Sequence, residues 1–105
     1  MGEPIHSREF SVPAAHPSLP GHFPGNPIVP GALLLDFIRQ VIFEVRPESR
    51  IKSVRSVKFS GMVLPEQRVV LQLHPRREGI AFTGRVGGVV VLSGVLVLVC
   101  AEDIP

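Results

Sequence analysis

The sequence predicts an α+β fold in which one curved antiparallel β-sheet is wrapped around one long central helix. Two observations support this class: a single apolar run of helix length, and five β-rich segments separated by turn signals. The chain has 105 residues, of which 45% are hydrophobic, enough for one packed core. Because no repeat, low-complexity tract or long linker divides it, we expect one domain over residues 1–105.

The predicted helix covers residues 31–45, GALLLDFIRQVIFEV, which contain no internal Gly or Pro. Pro30 precedes the helix at a position where a missing N–H costs nothing, and Pro47 follows its end. Between residues 32 and 45 the only polar side chains are Asp36, Arg39, Gln40 and Glu44. A helix that is apolar on most faces is typically a buried one, so we expect the sheet to surround it.

The five β-like segments are rich in Val, Ile and Phe, and they cover residues 5–12, 51–59, 66–74, 80–86 and 89–99. The first of them is predicted as an edge strand. Leu64-Pro65, Glu78-Gly79 and Gly87-Gly88 separate the others. The Gly pair predicts a two-residue hairpin, and Gly94 inside the last segment indicates a bend or a bulge.

Composition argues against several classes of protein. Net charge is +2, the basic residues are interleaved with acids, and the chain has neither Trp nor Tyr, so no nucleic-acid-binding surface is expected. A single cysteine excludes an internal disulfide and a Cys-based zinc site. The most apolar stretch, residues 89–99, is too short to cross a bilayer as a helix. With no targeting pattern at its start, the chain is predicted to be soluble and cytoplasmic, without membrane partners.

Residues 20–31, PGHFPGNPIVPG, contain four prolines and three glycines and lie directly before the predicted helix. Three Pro-Gly pairs within this loop favour successive sharp turns, because each combines a fixed φ with a permissive one. His22 lies between two of the turns, and Phe23 beside it is suited to anchor the loop in the core. The loop therefore presents one imidazole on a stiff frame, as a general base requires.

The loop ends at Pro30-Gly31, where the helix begins. A helix N-terminus offers unsatisfied N–H groups and a positive dipole end, and Gly31 lets a ligand approach the backbone closely. Such a site can stabilise negative charge on a substrate carbonyl. Asp36 is the only acid in the apolar front of the helix, where burial is expected to raise its pKa and make it a proton donor. Together these groups indicate proton abstraction next to a carbonyl with protonation of a leaving group.

Two alternatives remain open on spacing alone. A lone histidine in a Pro/Gly loop is more often a structural or surface residue than a catalyst. Asp36 shares a helical face with Arg39 and Gln40, so exposure to solvent or local pairing is the alternative to a buried acid.

Residues 16–40, HPSLPGHFPGNPIVPGALLLDFIRQ, closely resemble the active-site segment of the 3-hydroxyacyl-acyl-carrier-protein dehydratases, the FabA and FabZ group of hotdog-fold proteins. The loop GHFPGNPIVPG followed by a helix with an acid fourteen residues after the histidine is that family's signature. A weaker likeness continues through residues 56–73 and fades in the last two strands.

The resemblance implies a role for each matching residue. His22 matches the catalytic base, Asp36 the catalytic acid, and Gly31 the backbone N–H that binds the thioester carbonyl, with Phe23 and Pro30 as further substrate-binding residues. It also implies a homodimer whose active site is shared across the interface, with possible further assembly left open. The acyl substrate arrives on the phosphopantetheine of an acyl carrier protein, and neither a metal nor an organic cofactor is expected. Five basic residues are candidates for the carrier's landing surface: Arg39, Arg46, Arg50, Lys52 and Arg55.

Three departures limit the resemblance. The acid is Asp36, as in the FabA branch, whereas the loop has the sequence of FabZ enzymes, in which the acid is usually Glu. Whether the chain also isomerises a double bond is therefore left open. Pro65-Glu66 stands where the family more often has Pro-Gly-Asp. Without the longer N-terminal segment of housekeeping FabZ enzymes, the sequence looks most like the short, ApeI-like dehydratases of aryl polyene and related secondary pathways, and we expect a dehydratase of that kind. A hotdog thioesterase and a non-catalytic accessory subunit that binds acyl carriers are the alternative functions.

The remaining candidate residues receive structural interpretations. His6, His16 and His74 are spaced too irregularly for a metal site and are expected at the surface or at strand ends. Cys100 ends the last strand and is interpreted as a small core residue. Phe37 and Phe43 are assigned to core or dimer packing, with an acyl tunnel as the alternative.

Overall fold

The computed structural model describes residues 6–16 and 28–100 as one five-stranded antiparallel sheet and one helix. The elements are β1 (His6–Phe10), α1 (Gly31–Val45), β2 (Ser49–Phe59), β3 (Val69–Arg76), β4 (Gly79–Val86) and β5 (Val89–Cys100). The predicted fold class is confirmed. The helix has the predicted bounds because Pro30 and Pro47 allow little extension in either direction.

The strand order is β1-β3-β4-β5-β2, with every neighbouring pair antiparallel. β1 and β2 are therefore the two edges of the sheet, and α1 is the connection between them in the sequence. A connection from one edge to the other has to cross a face of the sheet. This topology places the start of α1 next to the packed core, where Val29 and Leu33 are buried.

The helix buries one side against the sheet and leaves the other open. Its buried side chains are Leu33, Leu34, Ile38, Val41 and Ile42, and they belong to the same cluster as the fully buried strand residues Leu71, Phe82 and Leu92. The opposite side exposes Arg39, Gln40, Phe43 and Glu44. The prediction that the helix is buried on most faces is wrong for the single chain, because one sheet covers only one side of it.

Glycine is required for different reasons at Gly87, Gly88 and Gly94. Gly87 and Gly88 have φ values of 59° and 82°, which confirms the predicted two-residue hairpin between β4 and β5. Gly94 pairs in register with Val57 and Phe82, so the strand has no bulge there and that part of the prediction is wrong. A Cβ on Gly94 would lie 2.5 Å from the Phe82 ring, and the position therefore needs glycine for close packing.

Register shifts occur instead on the edge strand β2. One lies between Ile51 and Ser53 and the other between Val54 and Ser56, which leaves Lys52 and Arg55 without partners on β5. Bulges and cationic side chains on an edge strand both discourage uncontrolled pairing with other strands.

β3 begins at Val69, three residues later than the 66–74 segment predicts. The reason is the turn before it: Glu66 adopts a φ of 70°, in the left-handed region that interrupts a strand. Its N–H donates to the carbonyl of Val12, 2.8 Å away. Residues 66 to 68 therefore belong to a turn that contacts the segment after β1.

Two further findings concern the end of β5 and the length of the helix. Cys100 is exposed at the end of β5, so its interpretation as a core residue is wrong; the core ends before the last residue of that strand. Within residues 6–16 and 28–100, no helix combines the length and apolar character needed to cross a membrane.

Candidate active site

The structure describes three of the five predicted site residues. His22 and Phe23 lie outside the described residues, and their roles stay predictions. Pro30, Gly31 and Asp36 are all described, and they lie within the first two turns of α1.

The start of α1 leaves backbone donors available. Pro30 is the N-cap residue, with φ −62° and ψ 145°, and it makes no side-chain capping bond. Its carbonyl accepts from the N–H groups of Leu33 and Leu34 at 3.0 and 3.2 Å. Within residues 6–16 and 28–100, no acceptor engages the N–H groups of Gly31 and Ala32. The first turn also holds no acid, so the positive end of the helix is not neutralised from within.

The Phe59 ring covers Gly31. A Cβ built on Gly31 would lie 2.8 Å from the ring carbon Cζ of Phe59, and the ring itself is 46% exposed. The backbone at Gly31 and an aromatic face at the end of β2 are thus adjacent, as needed for a site that binds a polar group beside an apolar one.

Replacing Gly31 by Ala is expected to disturb this site more than the fold. The added methyl must push aside the Phe59 ring, which is free to swing because it is half exposed, so the free energy of unfolding should fall by no more than about 1 kcal/mol. The resemblance implies that the Gly31 N–H binds the substrate carbonyl, and on that prediction kcat/KM should fall by roughly tenfold or more. Thermal unfolding and steady-state kinetics measure both. The double variant with Phe59→Ala is the control: equal loss of stability in both variants would contradict the steric account.

Asp36 is exposed and engaged in local hydrogen bonds. Nε and Nη2 of Arg39 donate to its Oδ1 at 3.2 and 2.9 Å, and Nε2 of Gln40 donates to its Oδ2 at 3.1 Å. The hydrogen bonds from Arg39 hold the pKa of Asp36 below its ordinary value of 3.8, although desolvation acts in the opposite direction. The prediction that burial raises this pKa is wrong for the single chain. The alternative of local pairing along one helical face is confirmed.

An apolar cavity of about 260 Å³ lies beside Asp36, between α1 and the strands β2 and β5. Asp36 and Arg39 supply the polar part of its wall, and the rest is apolar: Ala32, Leu35, Ile38, Ile51, Val54 and Leu96. Val54 is 56% exposed, so the cavity is open on the side of the edge strand. A carboxylate at the rim of an apolar pocket is suited to meet the polar head of a substrate whose chain enters the pocket.

Arg39→Met is expected to raise the pKa of Asp36, because it removes the two hydrogen bonds and the positive charge that favour the carboxylate. A carboxyl whose pKa is lower in the folded than in the unfolded state stabilises the fold at pH values above its unfolded pKa. That stabilisation is lost as the pH falls through its folded pKa. In the variant, the fall in the free energy of unfolding below pH 3.8 should therefore be smaller. Carbon-13 titration of the Asp36 carboxyl measures the shift directly. Arg77→Met, in the exposed turn after β3, is the control, and equal titration curves in both variants would contradict the assignment.

His16 is a neighbour of Asp36 that sequence reasoning missed. Its ring is tilted against Phe37 with centroids 6.1 Å apart, and its charge is one of the causes that lower the pKa of Asp36. Phe37 in turn stacks on Phe10 at 5.2 Å, which confirms its assignment to packing. Twenty residues separate His16 from Asp36, so no local spacing could have indicated their electrostatic interaction.

The predicted landing residues differ in their surroundings. Arg39 pairs with Asp36, and the guanidinium of Arg50 lies 5.2 Å over the Phe43 ring while donating to the carbonyls of Pro47 and Ser49. Arg39 and Arg50 also line a second cavity of about 340 Å³ near the end of α1. Lys52 and Arg55 are exposed on β2. Arg55 lines a different cavity, together with Arg76 and Arg77, so the predicted landing residues do not share one cavity.

Among the described residues, no group of three or more His, Cys, Asp or Glu side chains could hold a metal ion. The polar groups near the cavity are instead the Asp36 carboxylate, the Arg39 guanidinium and the N–H groups at the start of α1. These groups can bind a carbonyl oxygen and exchange a proton.

The comparison with protein families decides which family carries this arrangement. The ApeI-like family model, described as ApeI dehydratase, matches residues 3–100. The chain belongs to the ApeI-like family. This family of dehydratases is the one to which the loop and helix of residues 16–40 point, and the resemblance is confirmed.

Curated relatives of this ApeI-like chain are FabZ enzymes. It is 37% identical over 82 residues to the 3-hydroxyacyl-[acyl-carrier-protein] dehydratase FabZ of Chloroflexus aggregans, covering 69% of this chain and 57% of that one. It is 33% identical over 62 residues to the FabZ of Wolbachia pipientis, covering 51% and 43%. The chain thus spans about half the length of the curated relatives it matches.

Solved structures show the hotdog fold of the ApeI-like chain. An uncharacterized protein from Erwinia carotovora subsp. atroseptica superimposes with a TM-score of 0.82 at 22% identity, covering 94% of this chain and 86% of that one. The dehydratase heterocomplex ApeI:P from Xenorhabdus doucetiae gives 0.79 at 19% identity, covering 91% and 87%. The fluoroacetyl-CoA-specific thioesterase FlK gives 0.66 at 12% identity, covering 95% and 88%.

Proposed function

We propose that this chain is a 3-hydroxyacyl-acyl-carrier-protein dehydratase, which removes water from a 3-hydroxyacyl thioester to give a trans-2-enoyl thioester. The observation that carries the proposal is the ApeI-like match over residues 3–100, which includes both His22 and Asp36. The N–H groups at the start of α1 and the apolar cavity beside Asp36 support it.

In the proposed mechanism, His22 removes a proton from the α carbon of the thioester. The N–H of Gly31 donates to the thioester oxygen and stabilises the negative charge that develops there. The bond between C3 and its hydroxyl then breaks, Asp36 protonates the leaving oxygen, and the C2–C3 double bond forms. Water leaves, and solvent restores the proton of Asp36 and takes the one held by His22. The thioester activates the α proton, so we expect no metal or organic cofactor.

A second subunit completes the proposed site. In the single chain the pKa of Asp36 lies below its ordinary value of 3.8, so the group is a carboxylate near neutral pH, and a carboxylate cannot donate a proton. Covering the exposed side of α1 and β2 with another subunit would remove water from the carboxyl and raise its pKa. The open side of the cavity at Val54 would be closed by the same contact.

We propose a homodimer as the minimal active unit, with a related second chain as the alternative. One observation favours the alternative: β2 carries four cations, Arg50, Lys52, Arg55 and Lys58, and no acid. Two copies joined along β2 would bring like charges together, whereas an acidic strand would complement them. The Xenorhabdus doucetiae dehydratase is described as a heterocomplex, which is consistent with such a partner.

The acyl chain is proposed to reach the cavity from an acyl carrier protein that docks on the exposed cations of β2. Lys52 and Arg55 are exposed there, close to the cavity wall formed by Ile51 and Val54. We expect turnover of a carrier-bound substrate to fall several-fold between low salt and about 0.5 M salt, because salt screens exposed charges. Turnover of a small thioester without a carrier is the control. Equal salt dependence of the two substrates would contradict docking by charge.

Hydration of a trans-2-enoyl small thioester, the reverse reaction, tests the activity without a carrier. The expected result is a product heavier by one water, with the thioester intact. Release of a free acid and a thiol would indicate a thioesterase, the activity named for the fold neighbour FlK. An unchanged substrate would favour an accessory subunit.

A further inference from the structure

One turn, residues 63–67, makes hydrogen bonds to the segments on both sides of the Pro/Gly loop. On the side before the loop, the N–H of Glu66 donates to the carbonyl of Val12 at 2.8 Å, and the N–H of Ala14 donates to Oε1 of Glu66 at 2.7 Å. On the side after the loop, the N–H of Val29 donates to the carbonyl of Val63 at 2.8 Å. Residues 12 and 14 before the loop and Val29 near its end are therefore hydrogen-bonded to the same short turn.

The turn is itself held in one conformation. The N–H of Leu64 donates to Oε1 of Gln67 at 2.8 Å, and the N–H of Gln67 donates to the carbonyl of Leu64 at 3.2 Å. Val12, Val29 and Val63 are all buried in the core. The anchor points on both sides of the loop are thus packed as well as hydrogen-bonded.

Glu66 occupies a backbone conformation that favours glycine. Its φ of 70° is the one positive value found for a non-glycine residue among residues 6–16 and 28–100. Glycine would adopt this φ without strain but has no side chain to accept the N–H of Ala14. Glu66 thus keeps a strained backbone and makes a hydrogen bond that an unstrained glycine could not make. This combination indicates a role for the hydrogen bond.

We propose that Glu66 is a positioning residue that holds the start of the loop carrying His22. The inference rests on the proposed function, since His22 is the base of that reaction. Loop closure explains the effect: anchoring both ends of a segment to one turn reduces the conformations that the segment samples. A base in a narrower range of positions reaches the α proton more often, which raises kcat. Charge assistance strengthens the bond from Ala14, because its acceptor is a carboxylate.

The test compares Glu66→Gly with Glu66→Gln. Glu66→Gly relieves the backbone strain but removes the acceptor, so its melting temperature should equal or exceed that of the wild type. Its kcat for a small thioester should nevertheless fall roughly tenfold or more, while KM changes by no more than about twofold. Glu66→Gln keeps an oxygen that can accept from Ala14 and should retain most of the wild-type kcat. Glu78→Gly, an exposed acid in the turn before β4, is the matched control.

Amide hydrogen exchange provides a measurement that does not depend on activity. Exchange at Ala14 should be faster in Glu66→Gly than in the wild type and nearly unchanged in Glu66→Gln. An exchange rate at Ala14 in Glu66→Gly equal to that of the wild type would show that Glu66 does not hold this segment. Faster exchange together with a wild-type kcat would overturn the positioning role of Glu66. A loss of kcat that merely follows a loss of melting temperature would also overturn it. If the wild type shows no turnover, the proposed function fails, and the exchange rates alone decide whether Glu66 holds the loop.

Discussion

Replacing His22 by Ala is expected to lower kcat for dehydration by about three orders of magnitude or more. General-base transfer contributes roughly 10²- to 10⁴-fold, and loss of the positioned imidazole adds to it. The measurement is formation of the enoyl thioester by the purified variant, with its melting temperature recorded in parallel. KM should change much less than kcat, because proton transfer occurs in the transition state rather than on binding.

The matched control for this experiment is His6→Ala. His6 is half-buried at the start of β1, where it pairs with Leu73 at the sheet edge, far along the chain from the loop. We expect that variant to keep wild-type turnover within a small factor. Near-normal turnover in His22→Ala, with a normal melting temperature, would end the assignment of His22 as the base.

Replacing Asp36 by Asn is expected to lower kcat by about two orders of magnitude or more, because the amide cannot donate the proton that the leaving hydroxyl needs. The fold should be little affected, since the Asp36 side chain is 46% exposed and, among residues 6–16 and 28–100, its hydrogen bonds come from Arg39 and Gln40 on its own helix. Glu44→Gln removes an exposed acid from the same helix and is the control. Dehydration kinetics and thermal unfolding distinguish loss of the acid from loss of structure.

The two inactive variants together test whether the site is shared between subunits. In a homodimer with His22 from one chain and Asp36 from the other, each mixed dimer of His22→Ala and Asp36→Asn contains one intact site. After unfolding and refolding as an equal mixture, about one quarter of wild-type turnover should return, because half of the dimers are mixed. Mixing without any recovery would contradict a shared site in a homodimer and would favour either a site within one chain or a different partner.

The fold was largely predictable because its signals are local. Pro30 and Pro47 bracket an apolar run of helix length, and the Gly87-Gly88 pair marks a hairpin that the positive φ values confirm. The start of β3 was not predictable from the sequence, because the turn at Glu66 depends on a hydrogen bond to Val12, fifty-four residues away. Gly94 was misread for a similar reason, since the Phe82 ring that requires it lies on a neighbouring strand.

The candidate site was predictable in its residues but not in its electrostatics. The loop and helix of residues 16–40 identified the family, and the model of that family matches the chain. The shift in the pKa of Asp36 was predicted in the wrong direction, because the hydrophobic composition of α1 does not reveal which side of the helix the sheet covers. The i, i+3 and i, i+4 spacing of Arg39 and Gln40 was the better guide to the surroundings of Asp36 in the single chain.

The most direct test of the central proposal is to incubate the purified wild-type chain with a 3-hydroxyacyl thioester of an acyl carrier protein and follow the carrier by mass spectrometry. The proposed function predicts a carrier species lighter by one water, with the thioester retained, and the same species should be absent with His22→Ala. A carrier that loses its whole acyl group would contradict dehydration and identify hydrolysis. A carrier that keeps its mass, with both aliphatic and aryl chains, would contradict the claim that this chain is a dehydratase on its own.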